Sequence, residues 1–314
     1  MLIAGPNLTL DRTLTIAELR PGEVLRFEHA VTTAGGKGVN VARAALALGA
    51  PAVLVGLLPG HTGAAAAAML AEERLSVCGI AVGGEIRSAA IVLERSGRVT
   101  VMNEPGPELR PEDWERYVTA VAERVGEHDV LACSGSLPPG APHDAYARLA
   151  VLAAEAGATA IVDVTGEHLA AAVAAGAGVV TPNIAEAEGL LHGRADETVE
   201  AGDPAVVRER AEAAAAELVV RGARRAVVTA AEAGAAVADG DRVGWIPAPR
   251  ASVRNPVGAG DALVGGLGTA LERGEPFARA VAHGVAAAAA SVETETAGTL
   301  DSGRAAALLA EITG

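Results

Sequence analysis

The chain has 314 residues, half of them hydrophobic, which is enough to bury a large core. Its formal net charge of −14 argues against nucleic acid or anionic membranes as partners, because both require a basic face. The 2 cysteines have neither a metal nor a redox spacing, and no apolar run is long enough to span a membrane. We expect a soluble cytoplasmic protein in which residues 1–314 form a single domain.

Strand-like and helix-like stretches alternate through most of the chain. The strand-like runs are residues 2–4, 52–57, 130–133, 160–164, 178–181 and 226–229. The helix-like runs are residues 39–48, 62–73, 112–125, 143–156, 167–174, 185–191 and 205–220. This alternation predicts an α/β fold with a doubly wound, mainly parallel sheet and helices on both faces. A hairpin at residues 234–246 and three helical stretches are predicted to follow.

Two regions interrupt this alternation with β-structure that has no connecting helix. They are residues 25–33 and the pair 89–94 and 99–103. We expect a small β-sheet lid, inserted from about residues 8–33 and 86–104, over the edge of the main sheet where such folds bind ligands. The alternative is a set of short strands at the rim of the main sheet.

A glycine-rich loop, Gly258-Ala-Gly-Asp261, leads directly into an apolar, helix-like segment. A helix that begins there would direct unpaired N–H groups and the positive end of its dipole at one point, which attracts phosphate. Asp261 would lie in the first turn, where it could accept a proton from a substrate hydroxyl. The alternative is a helix-capping aspartate after a glycine turn.

A second glycine cluster, Gly35-Gly-Lys-Gly38, also leads into a helix-like segment. Lys37 offers a cation and Asn40 a bifunctional amide, which suits a polar ligand, although a tight turn with an exposed lysine would have the same pattern. Neither cluster has the spacing of a Walker A loop or of a dinucleotide-binding G-x-G-x-x-G, which argues against a nicotinamide oxidoreductase. The 7 histidines are dispersed, so a histidine metal site is not expected.

Together, residues 35–42 (GGKGVNVA) and 255–264 (NPVGAGDALV) resemble the two signatures of the ribokinase-like carbohydrate kinases, most closely those of the phosphofructokinase B branch. Further family-like stretches occur in the family's order at residues 7–12, 103–108, 134–140, 163–167 and 181–186. The resemblance covers essentially the whole chain.

This resemblance implies ATP-dependent, Mg²⁺-assisted phosphoryl transfer to a hydroxyl of a sugar phosphate. It makes Asp261 the base and the amides of Gly258, Ala259 and Gly260 the anion hole. The implied sugar-phosphate contacts are Asp11, Gly36, Lys37, Asn40 and Asn103, with Arg26 and Arg87 for the phosphate. The implied ATP contacts are Asn183, Thr229, Gly234, Gly258 and Gly260, with Glu186 for Mg²⁺ through water.

Fructose 1-phosphate is the leading acceptor under this interpretation, with tagatose 6-phosphate and fructose 6-phosphate as alternatives. A different class, a catalytically weak sugar-phosphate-binding regulatory protein, also stays open, although it has no need of a base beside an anion hole. Kinship implies a homodimer through the lid. Departures from the branch include Thr181 in place of a usual lysine and Ala231 in place of a usual glycine, where a positive φ would be unfavourable.

Overall fold

The computed structural model describes residues 1–193, 195 and 198–314. Its strands are β1 (Leu2–Ala4), β2 (Thr9–Ile16), β3 (His29–Gly35), β4 (Val53–Leu57), β5 (Ser76–Ile80), β6 (Arg87–Glu94), β7 (Val99–Asn103), β8 (Val130–Ser134), β9 (Thr159–Asp163), β10 (Val179–Val180), β11 (Arg225–Ala230), β12 (Gly234–Asp239) and β13 (Arg242–Pro247). Its helices are α1 (Lys37–Ala47), α2 (Gly60–Glu72), α3 (Pro111–Val125), α4 (Ala145–Glu155), α5 (Gly166–Ala174), α6 (Ile184–His192), α7 (Pro204–Val220), α8 (Ala259–Glu272), α9 (Phe277–Ser291) and α10 (Ser302–Thr313).

The main sheet has the order β13-β12-β11-β10-β9-β8-β1-β4-β5. Strands β5 to β11 along this order are parallel, and the β12–β13 hairpin adds two antiparallel strands at one edge. The chain extends the sheet from β1 to β4 and β5 on one side, and later to β8, β9, β10 and β11 on the other. The change of direction between β1 and β8 opens a crevice at the carboxyl ends of these strands.

Hydrophobic clusters cover both faces of the main sheet. One cluster joins the sheet to α3, α4, α5, α6 and α7, and the other joins it to α1, α2, α8 and α9. Along β1 the side chains alternate between the two, since Leu2 and Ala4 belong to the first cluster and Ile3 to the second. The predicted doubly wound sheet with helices on both faces is therefore confirmed.

The predicted lid is a four-stranded sheet of order β3-β2-β6-β7. Asp11 on β2 lies opposite Thr33 on β3 and Ala89 on β6, and Ala89 lies opposite Asn103 on β7. Residues that are directly opposite in a sheet project from the same face. The last residue of β3, Gly35, precedes α1 by one residue, so the lid is directly joined to the second glycine cluster.

The structure corrects several predicted strand boundaries. The lid strand expected at residues 25–33 begins only at His29, residues 9–16 form a further strand inside the predicted lid region 8–33, and residues 76–80 form a strand that was not predicted. In residues 9–16 the adjacent charges of Asp11 and Arg12 obscure the alternation of polar and apolar positions. The strand expected at 178–181 has only two residues, because Pro182 lacks the N–H that would extend the ladder.

Candidate active site

The two glycine clusters meet at the crevice between β1 and β8. Helix α1 follows the second cluster and packs against α8, which follows the first. In the first turns of these two helices, Asn40 Nδ2 donates to Asp261 Oδ2 over 2.8 Å, although the residues are 221 positions apart in the sequence. The sequence-predicted base and one sequence-predicted sugar contact are therefore in direct contact.

Helix α8 begins as the glycine loop predicts. Gly258 is the N-cap, with φ +86, and a Cβ there would lie 2.8 Å from the backbone nitrogen of Gly298, so only glycine fits. Ala259 is the first helical residue, and Gly260 is exposed, with nothing within 4 Å of the position a Cβ would take. The space beside Gly260 at the N-terminus of α8 is therefore open, while the Ala259 amide donates to the carbonyl oxygen of Pro256 over 3.3 Å.

Asp261 lies in the first turn of α8 and is 5% exposed. Burial, assisted by the negative charge of Asp163, raises its pKa from 3.8 to about 7, while Lys37 and the amide of Asn40 oppose this rise. A carboxyl group with a pKa near neutrality is suited to accept a proton from an alcohol and to release it again.

Lys37 is the only lysine in the sequence. The other 24 of its 25 lysine and arginine residues are arginines. Its Nζ donates to Asp163 Oδ2 over 3.0 Å, and Ser134 Oγ donates to the same oxygen over 3.1 Å. Partial burial lowers the pKa of Lys37, but the carboxylates of Asp163, Asp261 and Glu186 more than offset this, and the pKa is raised. The ammonium group is therefore a permanent positive charge beside the base.

Asn183 and Glu186 form a capping box at the start of α6. The backbone nitrogen of Glu186 donates to Asn183 Oδ1 over 2.8 Å, and that of Asn183 donates to Glu186 Oε2 over 2.9 Å. Asn183 also forms a parallel bridge with Thr229, so two predicted ATP contacts lie on adjacent strand ends. Burial raises the pKa of Glu186, which is half-buried.

The oxygen ligands that the site offers can be compared with those that Mg²⁺ prefers in proteins. Among residues 1–193, 195 and 198–314, no three His, Cys, Asp or Glu side chains cluster closely enough to hold a metal ion. One fixed, half-buried carboxylate, Glu186, is present instead. Mg²⁺ commonly keeps several waters and takes one or two protein carboxylates together with substrate phosphates, so this single carboxylate fits that ion better than an all-protein cage.

The lid presents three of the predicted sugar-phosphate residues on one face. Asp11 and Asn103 align across the sheet, and Arg87 lies two positions from Ala89 on the intervening strand, so all three project toward the same side. Burial raises the pKa of Asp11, which Arg87 and Arg43 oppose. Gly36, the remaining predicted contact of this group, is the N-cap of α1.

Two predicted contacts lie outside this cluster. Arg26 is exposed in the loop before β3, and that strand begins opposite Thr15, four residues or about 13 Å along β2 from Asp11. Gly234 is buried at the start of β12, where a Cβ would overlap the carbonyl oxygen of Ile246. Hairpin packing by itself therefore accounts for a glycine at position 234.

The two departures near the predicted ATP contacts have visible consequences. Ala231 adopts a φ of +43, a conformation that is unfavourable for any residue with a Cβ. The Oγ1 of Thr181 is buried and has no hydrogen-bond partner among the residues that the structure describes. Both features lie at positions where the sequence departs from the family pattern that it resembles.

Sequence reasoning assigned no role to three residues of the cluster, Ser134, Asp163 and Arg43, although the first two begin the family-like stretches 134–140 and 163–167. Ser134 and Asp163 end β8 and β9, and a polar residue at the carboxyl end of a parallel strand is a usable signal in an α/β fold. Arg43, which is 9% exposed, carries no such signal, because an arginine on a helix is ordinarily a surface residue.

None of the helices in the described part of the chain has the length and hydropathy needed to cross a membrane.

The site lies at the switch point of a doubly wound sheet, under a β lid. It combines a carboxyl group whose pKa is near neutrality, a permanent ammonium group and an open helix N-terminus. These features define an enzyme site suited to an alcohol and an anionic group.

Comparison with known proteins agrees with this class. The model of the pfkB family carbohydrate kinases matches residues 8–302, and the chain belongs to that family. It is 36% identical to the 1-phosphofructokinase of Haloferax volcanii over 91% of this chain and 88% of the relative. It is 32% identical to the ATP-dependent 6-phosphofructokinase isozyme 2 of Escherichia coli over 90% of this chain and 89% of the relative. A crystal structure of Escherichia coli phosphofructokinase-2 with potassium superposes with a TM-score of 0.87, at 29% identity, over 100% of this chain and 99% of the other.

Proposed function

We propose that this carbohydrate kinase transfers the γ-phosphoryl group of ATP to the 6-hydroxyl of fructose 1-phosphate, giving fructose 1,6-bisphosphate and ADP. The observation that carries the proposal is the buried Asp261, with a pKa of about 7, in the first turn of a helix whose N-terminus is open. The likeness to the Haloferax volcanii 1-phosphofructokinase supports this acceptor.

In the proposed reaction Asp261 accepts the hydroxyl proton as the sugar oxygen bonds to the γ-phosphorus and the bond from that phosphorus to the β-phosphate bridging oxygen breaks. The amides of Gly258, Ala259 and Gly260 bind the oxygens of the transferring group. Lys37 neutralises part of the charge on those oxygens, and its contact with Asp163 holds the ammonium at the cleft. Catalysis of this kind depends on positioning and on electrostatic stabilisation.

The donor side is assigned to Asn183, Thr229 and Glu186. When bound, Mg²⁺ would reduce the negative charge of the donor phosphates. We assign Glu186 to hold it through water, and Asn183 and Thr229 to contact the nucleotide. Gly234 stays in this set as a prediction, beside its role in hairpin packing.

The acceptor side is assigned to the lid face. Under this proposal, sugar hydroxyls are bound by Asp11, Asn103, the α1 N-cap Gly36 and the α1 residues Lys37 and Asn40. Arg87 binds the sugar's own phosphate through its planar guanidinium fork. Arg26 is also assigned to that phosphate, which requires the loop before β3 to approach the site, in this copy or in a second one.

Fructose 6-phosphate is the second candidate acceptor, favoured by the likeness to the Escherichia coli 6-phosphofructokinase isozyme 2. An ADP-release assay with fructose 1-phosphate, fructose 6-phosphate, tagatose 6-phosphate, fructose and ribose distinguishes the candidates by kcat/KM. Asp261→Asn serves as the inactive control. Binding of sugar phosphate without ADP release from any of them would instead identify a regulatory binding protein.

We also propose a homodimer through the lid. On the face that carries Asp11, the lid continues outward into exposed Val31, Val101 and Val99, which are 43%, 49% and 52% exposed. A second copy would remove these side chains from water. Light scattering should give a dimer mass, and Val101→Asp should give a monomer, whereas a monomeric wild-type chain at every concentration contradicts the proposal. Because ATP and sugar phosphates are cytoplasmic metabolites, we place the enzyme in the cytoplasm.

A further inference from the structure

Arg43 lies behind the base, outside the residues that would touch a substrate. Its Nε donates to Glu73 Oε2 over 2.6 Å and its Nη2 to Glu73 Oε1 over 2.7 Å, which forms a two-point ion pair between α1 and the end of α2. The Arg43 side chain is 8% exposed and that of Glu73 is 35% exposed. A planar guanidinium held at two points has little freedom to rotate.

The other side of the same guanidinium contacts the residue that holds the base. Its Nη1 donates to Asn40 Oδ1 over 3.2 Å, and its Nη2 also donates to the carbonyl oxygen of Ala34 over 2.7 Å. Because the Asn40 oxygen faces a donor, the Asn40 amide nitrogen must point the opposite way, toward Asp261 Oδ2. Arginine thus determines which end of the amide meets the carboxylate.

Asn40 is also restrained from its other side. It is 8% exposed, and a Cβ on Gly298 would lie 2.6 Å from the Asn40 Cα, so the loop before α10 packs tightly against it. The three-residue spacing of Asn40 and Arg43 places both on one face of α1. Backbone packing therefore fixes where Asn40 lies, but it does not fix which way the side-chain amide points.

We propose that Arg43, anchored by Glu73, is a positioning residue that orients the Asn40 amide so that its NH₂ group donates to Asp261. This inference rests on the proposed function, in which Asp261 is the base. The hydrogen bond stabilises the ionised carboxylate, which is the form that accepts the proton from the sugar, and it fixes one carboxylate oxygen so that the other faces the substrate.

A simpler alternative is that Arg43 is only an electrostatic or structural tie between α1 and α2. Burial, Asp163 from the end of β9, and Lys37 and Asn40 from α1 set the ionisation of Asp261. Arg43→Lys keeps the positive charge, so it separates a direct effect of that charge on Asp261 from an effect that passes through Asn40. A purely structural tie would leave that titration unchanged.

The single lysine provides a direct test that needs no substrate. Protein labelled with ε-¹³C-lysine should show one side-chain NMR signal, from Lys37, whose ammonium is coupled to Asp261. The signal should titrate with a step near pH 7 that Asp261→Asn abolishes. In Arg43→Met that step should move upward by about one pH unit, the size expected for losing a hydrogen bond to a charged group.

Kinetics give a second readout. With the step moved up by one unit, kcat of Arg43→Met should fall about five-fold at pH 7 and return toward the wild-type value above pH 9. Arg43→Lys keeps the charge but cannot hold both Glu73 and Asn40, so it should behave like Arg43→Met. Full activity at pH 7 in Arg43→Lys, or a loss of kcat that is equal at every pH, would overturn the proposal.

If Arg43→Met does not fold because Arg43 is buried, Glu73→Gln provides the same test from the other side of the ion pair. It should shift the Lys37 step in the same direction by a smaller amount, whereas Glu72→Gln, on the adjacent exposed residue, should not shift it. Equal midpoints in these two variants would refute the relay. If no sugar yields ADP but the NMR shifts occur, the kinase proposal fails and the Glu73–Arg43–Asn40–Asp261 relay stands.

Discussion

Asp261→Asn should make the protein more stable at alkaline pH while it removes activity. In the folded chain the pKa of Asp261 is raised from 3.8 to about 7, so the unfolded chain releases this proton first as the pH increases. The folded state therefore loses stability between these two values, by about 1.4 kcal/mol per pH unit, to a total of about 4 kcal/mol above pH 7. Asparagine resembles the protonated carboxyl group in shape and never ionises, so the substitution removes this loss.

Guanidinium unfolding, followed by tryptophan fluorescence at several pH values, measures the effect. The gain of Asp261→Asn over the wild type should be near zero at pH 4, should grow through pH 5 and 6, and should level off above pH 7 at up to about 4 kcal/mol. The same variant should lose about 10²-fold to 10⁴-fold in kcat, as expected for a positioned base.

Asp241→Asn is the matched control, because Asp241 is an exposed aspartate on the β12–β13 turn. It should change neither activity nor the pH dependence of unfolding. A gain for Asp261→Asn that is absent at pH 8.5, or that has the same size at every pH, would falsify the assignment of a burial-raised pKa to this carboxyl group.

Four further substitutions concern the helix N-termini of the site and the turn near the predicted ATP contacts. Lys37→Arg keeps the charge but replaces a compact ammonium by a planar fork, so kcat should fall by at least about 10-fold with little change in melting temperature, as measured by ADP release and thermal shift. Ala231→Gly should raise the free energy of unfolding by about 0.5–1 kcal/mol, because glycine relieves a φ of +43, and an unchanged or lower value in chemical denaturation would contradict the strain. Gly260→Ala should fold normally, since its Cβ would meet nothing within 4 Å, but it should lower kcat/KM because the methyl group occupies ligand space. Gly258→Ala should instead be destabilised by about 2 kcal/mol or more in the same unfolding assay.

Much of the fold was accessible from local patterns. The alternation of apolar strands with helix-like stretches predicted the doubly wound sheet, and the Gly258-Ala-Gly-Asp261 turn predicted where α8 begins. These features depend on neighbouring residues: periodicity reports burial on one face, and glycine reports a conformation that other residues avoid. Strand β5 escaped prediction because its five residues, which include Ser76 and Gly79, show neither a continuous apolar run nor a clear alternation.

The candidate site was accessible only in part. The residues of both glycine clusters were predicted as site residues because they lie in long, distinctive motifs. The relay through Arg43 was not, since nothing in the sequence relates an arginine on α1 to a glutamate at the end of α2. The distance of Arg26 from the lid residues was also unforeseen, because it depends on where β3 begins and on its register with β2.

The sequence by itself determined the class of protein and the local geometry of the glycine turns, and it predicted Asp261 as the base. Only the tertiary structure decided the chemistry of that base. Lys37 and Asp163 are 126 residues apart, and Asn40 and Asp261 are 221 residues apart, yet each pair is in hydrogen-bond contact. A pKa near 7 arises from burial and from charges that the folded chain brings within a few ångströms, and no local pattern specifies either.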